Sequence, residues 1–325
     1  MNENKILVGD VGGTHARFAV VDVSQVQPRI EERADIDSGG CDNLEDALKA
    51  YLAQAGAERP QSAAIAVAGP VTNGRVHLTN RGWDASEDNL RKFGFRRAFL
   101  INDFAALAFS VTALNPNDCH TIGPEQDGLP EEPITIVGAG TGFGVSCLAR
   151  YRGRAVPIAT EGGHMSFAPN GEAQTAVLRA LAKRFPHVSI ERVLSGPGLE
   201  NLYGALEEIA GRKPKPLAAE EISRRAEAGD AACQAAQNMF CAIYGAVAGD
   251  FALAHGARGG VYIAGGIAAK IEQYLQRSDF RKSFEDKGRL SSYLKPIPTK
   301  LIIGEDAALI GAARASLEFQ KGNRP

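Results

Sequence analysis

The chain has 325 residues, of which 36 are basic and 38 acidic, giving a formal charge of -2. That length predicts about two domains, and a composition of 44% hydrophobic and 23% charged residues excludes disorder and describes an ordinary soluble globular protein. The balanced charge gives no reason to expect a basic face built for nucleic acid, and leaves room for a local patch.

The opening MNENKILVGDVGG lacks a basic segment followed by a long apolar stretch and is not read as a signal peptide. Lys5 to Val8 reads as a strand, GDVGGT (Gly9 to Thr14) as a tight turn, and Ala16 to Val23 as a second strand. A helix over Asn43 to Ala55 follows, then strands at Ala63 to Ala68 and Ala98 to Ile101, then a helix over Phe104 to Leu114. Asp118 to Pro133 reads as a surface loop. Residues 134 to 149 repeat the opening pattern about 130 residues on, as ITIV, GAGTG and FGVSCLA, which points to a duplicated architecture. The second half is more helical: Glu172 to Arg184, Ser189 to Val193, Leu199 to Ala210, Ala218 to Ala228 and 231 to 255, with a surface loop at Gly211 to Pro216. Strands at Val261 to Ala264 and Thr299 to Ile303 interrupt it, and Ala307 to Phe319 closes as a helix. Ala231 to Gly249 has 19 residues without a charge, but Gln234, Gln237 and Asn238 make it a packed buried helix rather than a membrane span. Strands alternating with helices argue for α/β layers.

Glycine is in excess, at 36 of 325 against an average near 7%, and it clusters at the ends of apolar runs, as ligand loops on a scaffold do. Both glycine turns lead into extended sequence, whereas the dinucleotide fingerprint must open a helix. The backbone N–H groups of Gly9, Asp10, Val11, Gly12, Gly13 and Thr14 can form an anion nest; Asp10 would then act on phosphate through Mg2+ held by water. A plain β-hairpin explains the same residues. The second turn, Gly138 to Gly142 with Thr141, favours two hairpins gripping one polyphosphate. Asn102 and Asp103 read first as a helix N-cap, with a general base at a strand's carboxyl end as the functional alternative. Glu161-Gly-Gly-His164 is a poor metal site for want of a second ligand set, yet it sets a carboxylate beside an imidazole, both suited to sugar hydroxyls. Glu191 reads as the first-turn acid of a helix capped by Ser189. The lone Trp83 reads as packing. Five scattered cysteines with no C-x-x-C pair fit a reducing cytoplasm.

In order along nearly the whole chain, LVGDVGGTHARFAV, AGPV, LTNRGW, INDFAALA, GAGTGFGV, EGGHMSFAP, ERVLSGPGLENLY, GGVYIAGGI and FRKSFEDKGR resemble the bacterial glucokinase family, in the sugar kinase branch of the actin-like ATPase-domain superfamily. The resemblance implies a two-domain α/β fold of the actin-like ATPase (ribonuclease H-like) type with an interdomain cleft. The smaller domain would take 1–113 plus 304–325 and the larger 114–303. It implies a soluble, cytoplasmic, commonly homodimeric enzyme of glycolysis that transfers phosphate from ATP, with Mg2+, to D-glucose, giving glucose 6-phosphate. By motif, Asp103 would be the catalytic base on the 6-hydroxyl, and Asn102, Glu161, His164 and Glu191 would hydrogen-bond the sugar. Gly9 to Thr14, Gly138, Gly140 and Thr141 would form the phosphate hairpins, with Gly265 and Gly266 beside the adenosine.

His15 departs from the family's usual Asn after GGT, which puts local nucleotide-loop contacts in question, and EDAALIGAA matches the usual ending only loosely. The cysteine-rich zinc motif of the related repressor–kinase family is missing, and no DNA-binding module precedes the first strand, so a sugar-responsive repressor is disfavoured. A kinase for another hexose, a polyphosphate-dependent glucokinase and a catalytically inactive sugar sensor are the rival readings.

Overall fold

The structure, a computed structural model, describes residues 4–12, 15–25, 27–56, 59–78, 81–151 and 153–322. Gly13 and Thr14 lie outside the described residues, as does the side chain of His15. The strands are β1 (Lys5–Val11), β2 (His15–Asp22), β3 (Arg29–Asp37), β4 (Ser62–Val67), β5 (Arg75–Leu78), β6 (Trp83–Ser86), β7 (Arg97–Asn102), β8 (Cys119–Thr121), β9 (Ile134–Ala139), β10 (Phe143–Tyr151), β11 (Arg154–Thr160), β12 (Gly260–Ala264) and β13 (Thr299–Ile302). One sheet has the order β3-β2-β1-β4-β7, a second β11-β10-β9-β12-β13-β8, and β5 pairs with β6 alone. The chain packs as two units: Met1–Asp118 with Arg154–Ala159 and Gly304–Pro325, and Cys119–Gly153 with Thr160–Ile303.

In the first unit, β1 pairs antiparallel with β2 and parallel with β4, which pairs parallel with β7. The pleat sends alternate residues to opposite faces, and both faces are covered. Leu7, Val11 and Phe18 pack under the helix Leu44–Ala55, whose face of Leu44, Ala47, Leu48 and Tyr51 is buried. That helix starts where the Asn43 side chain accepts the Asp46 N–H at 2.9 Å and stops at left-handed Gly56, an ordinary pair of end signals. On the other face Ile6, Val8, Ala64 and Ala66 meet the helices Asp103–Ser110 and Ala307–Gln320.

The second unit repeats the plan. The β9–β10 hairpin is antiparallel, and β9, β12 and β13 run parallel. The helix Ala231–His255 is capped by Asp230, whose carboxylate accepts the N–H groups of Ala232 and Cys233, and ends at left-handed Gly256. Its Tyr244 ring is fully buried among Phe143, Phe240 and Phe280. Among the described residues no helix is long and apolar enough to cross a membrane.

Several segments correct the sequence reading. The expected loop at Asp118 to Pro133 contains β8, paired antiparallel with β13. The expected helix over Ser189 to Val193 is a 3-10 turn, Ile190–Arg192, and the Ser189 side chain makes no cap bond. Strand β3, the β5–β6 hairpin and the helix Glu87–Phe93 were not foreseen.

Candidate active site

In the first unit Val11, Val67 and Asn102 stand in register across the parallel strands, so the carboxyl ends of β1, β4 and β7 form one row, where α/β sheets place ligands. Asn102 serves as the cap and more. Its Oδ1 accepts the Ala105 N–H at 3.0 Å, and its Nδ2 donates to the Gly69 carbonyl at 3.2 Å and to Asp103 Oδ1 at 3.0 Å. Asp103 Oδ1 also accepts the Phe104 N–H at 2.9 Å. The carboxylate of Asp103 is therefore fixed in direction at the first turn of its helix.

Gly9 lies within β1, paired with Phe18, and Gly12 follows the strand. The pleat sets Asp10 on the Ile6 and Val8 face, the one covered by the helix beginning at Asp103. Two strand spacings, about 10 Å, separate β1 from β7. Burial pushes the Asp10 carboxyl above its ordinary pKa, and the Arg17 guanidinium offsets this only in part. A desolvated carboxylate so weakly compensated is a ready partner for a cation. Among the described residues no group of three or more His, Cys, Asp or Glu could hold a metal ion.

Sequence reasoning did not single out Arg81. Its Nε donates to the Gly12 carbonyl at 2.8 Å, and its guanidinium lies 4.8 Å from the Trp83 ring centre. Trp83 is buried in the core, as its packing reading expects. Arg81 in LTNRGW thus fixes one carbonyl of the first glycine turn from beneath.

In the second unit the turn between β9 and β10 closes with the Gly140 N–H on the Gly142 carbonyl at 2.8 Å, leaving Thr141 exposed at its tip. Gly138 lies in β9 opposite Gly144. Three segments converge on this turn. Gly265, at the end of β12, has φ 90°, and a side chain there would collide with the Ala139 carbonyl; only glycine meets both demands. Gly265 and Gly266 are exposed beside the turn. The second segment is Glu161 to His164, a 3-10 turn in which any Cβ on Gly163 would run into the Phe143 carbonyl. The carboxylate of Glu161 lies 3.9 Å from His164 Nε2, with the two side chains 66% and 63% exposed, so both present polar atoms to solvent.

The third segment carries Glu191. Its Oε2 accepts the Phe143 N–H at 2.9 Å, a bond across 48 positions of sequence that no local pattern announces. The Met165 carbonyl accepts the Ile190 N–H at 2.9 Å, tying the Glu161 and Glu191 segments together. Ser195 also belongs here. Its Oγ donates to the Glu191 carbonyl at 2.8 Å and accepts the Gly198 N–H at 2.9 Å, capping the helix Gly196–Ile209. The SGPG glycine cluster was the available signal for it. Glu161, His164 and Glu191 are thus gathered around one residue, Phe143, where β10 begins.

The family model for glucokinase matches residues 7–318. The glucokinase of Caulobacter sp. (strain K31) is 49% identical over 310 residues, covering 95% of this chain and 94% of its own length. That of Nitrobacter hamburgensis is 44% identical over 315 residues, 96% of this chain and 97% of its own. A crystal structure of glucokinase from an Antarctic psychrotroph is similar with a TM-score of 0.88 at 38% identity, covering 98% of this chain and all of that one. A ROK family glucokinase from Streptomyces griseus shares the fold, with a TM-score of 0.66 at 19% identity over 97% of this chain and 99% of that one. The two-sheet architecture is the actin-like ATPase fold, and the chain belongs to the glucokinase family.

Proposed function

We propose that the chain is a glucokinase, moving the γ-phosphoryl group of ATP to the 6-hydroxyl of D-glucose. The observation that carries the chemistry is Asp103, a carboxylate aimed by the Asn102 amide and the Phe104 N–H at the end of a parallel strand. Asp103 accepts the proton of the 6-hydroxyl as that oxygen attacks phosphorus and ADP departs. Asn102, Glu161, His164 and Glu191 bind the sugar ring. An epimer would leave one of these polar groups unpaired in the complex, which is the source of selectivity.

Gly9 to Thr14 and Gly138 to Thr141 offer backbone N–H groups to the phosphates, and Gly265 and Gly266 leave room beside the adenosine. The Streptomyces griseus relative was crystallised with glucose and AMPPNP, which supports ATP as the donor. Asp10 would hold Mg2+ through water, and the ion when bound would neutralise phosphate charge. The buried thiols of Cys147, Cys233 and Cys241 suit the reducing cytoplasm where glycolysis runs, and a homodimer completes the reading.

Purified protein with ATP, Mg2+ and glucose, mannose, fructose, N-acetylglucosamine or no sugar tests it, by coupling glucose 6-phosphate formation to NADPH and following ADP release. Fast, glucose-selective turnover is expected. ADP release only with another sugar would overturn the substrate. Silence with ATP but turnover with polyphosphate would overturn the donor, and silence throughout would leave a sugar sensor.

A further inference from the structure

Glu191 faces two ways. Its Oε2 accepts the N–H of Phe143, the residue that leaves the second glycine turn, and any Cβ on Gly142 would run into that same oxygen. Five residues on, Gly196 donates its N–H to the Gly140 carbonyl at 2.9 Å. Between these points Ser195 Oγ donates to the Glu191 carbonyl. Residues 191 to 196 therefore grip the turn at both ends, by a carboxylate on its exit and an amide on its entry. These bonds go to backbone atoms of the turn read above as a phosphate cradle.

Resting on that reading and on Glu191 as a sugar ligand, we propose that Glu191 is also a positioning residue for the phosphate turn, so that glucose and nucleotide bind with positive coupling through this one carboxylate. A carboxylate has two oxygens and about four acceptor sites, so Oε2 can hold Phe143 while Oε1 takes a sugar hydroxyl. The sugar bond stops rotation of the Glu191 side chain, and the turn fastened to it is ordered with it. Nucleotide then meets a turn whose ordering cost has already been met, which is positive cooperativity without a change of fold. Gly142 is glycine because any side chain would push the carboxylate off Phe143.

The test is calorimetric: the Kd of AMPPNP with Mg2+, measured without glucose and at saturating glucose. In the unaltered chain glucose should tighten AMPPNP about 5-fold or more, and AMPPNP should tighten glucose by the same factor. Gly142→Ala keeps every sugar-binding side chain, and its ratio should fall to near 1 while glucose still binds. Glu191→Ala, which leaves nothing to accept the Phe143 N–H, should also give a ratio near 1, even at glucose concentrations raised to saturation. His164→Ala, which removes a sugar contact but leaves the Phe143 bond, should bind glucose more weakly and keep the ratio. A ratio near 1 in the unaltered chain, or an unaltered ratio in either Gly142→Ala or Glu191→Ala, would overturn the proposal. Turnover separates this from the function itself: a chain that phosphorylates glucose with ATP and shows no coupling loses the coupling role alone.

Discussion

In the first unit the candidate carboxylates stand on a strand or directly after one: Asp10 is inside β1, and Asp103, next after β7, opens a helix. In the second, β9, β12 and β13 contain no acid at all, and Glu161 and Glu191 stand on 3-10 turns laid against the start of β10. The same strand plan thus carries its charges in two ways. Carboxylates built on a sheet are held in one direction, which suits proton transfer and phosphoryl chemistry. Exposed turns present several polar atoms to a ligand, which suits recognition of a sugar. The proposed roles put chemistry in the first set and selectivity in the second, and kinetics can separate them because loss of transition-state contacts lowers kcat whereas loss of ground-state contacts raises KM.

The largest effect should come from Asp103→Asn, with kcat lower by about 10²–10⁴-fold and glucose affinity by calorimetry within a few-fold of the unaltered value. Asp10→Asn should lower kcat by about 10²-fold, the weight of one electrostatic contact to a transition state, with the KM for glucose nearly unchanged. The same variant should be the more heat-stable protein. Burial raises the folded-state pKa of Asp10, so the stability linked to its proton is fully present below the unfolded carboxyl pKa and is lost as pH rises through the folded one. Asn carries no such loss, so the Tm advantage of Asp10→Asn should be larger at pH 7 than near pH 4 in parallel melts.

In the second unit, Glu161→Gln should raise the KM for glucose about 10-fold, the loss of one charge-assisted hydrogen bond, with kcat within a few-fold in initial-rate assays. The smallest change is Ser195→Ala, which removes a helix cap worth about 1 kcal/mol and should lower Tm by about 2–4 °C. If Glu161→Gln instead lowered kcat while leaving KM intact, the division between the units would be wrong.

Much of this was legible in the residues. The two strand–turn–strand units stood out because β-branched runs flank dense glycine, and the matching strand orders of the two sheets bear out a repeated plan. Asn102 and Asp103 read as a helix cap or a general base, and the structure shows Asn102 capping through Oδ1 while its amide nitrogen donates to Asp103. Strand β3 was not visible because RIEERADID is charged and mostly exposed, without the apolar alternation that marks a half-buried strand. The short β5 and β6 strands owe their pairing to Val76, Leu78, Trp83 and Ala85 meeting the core, a tertiary cause. Glu191 looked like a helix-start acid; its bond to Phe143 depends on a long-range approach, and so did the Arg81 bond to Gly12.

The proposal that Asp103 takes the proton of the sugar hydroxyl meets its sharpest test in single-turnover rapid quench. Asp103→Asn, saturated with glucose, is mixed with ATP and Mg2+, and glucose 6-phosphate is followed in time. The account predicts full glucose occupancy with the transfer step slowed at least about 10²-fold. Transfer at the rate of the unaltered chain would contradict it.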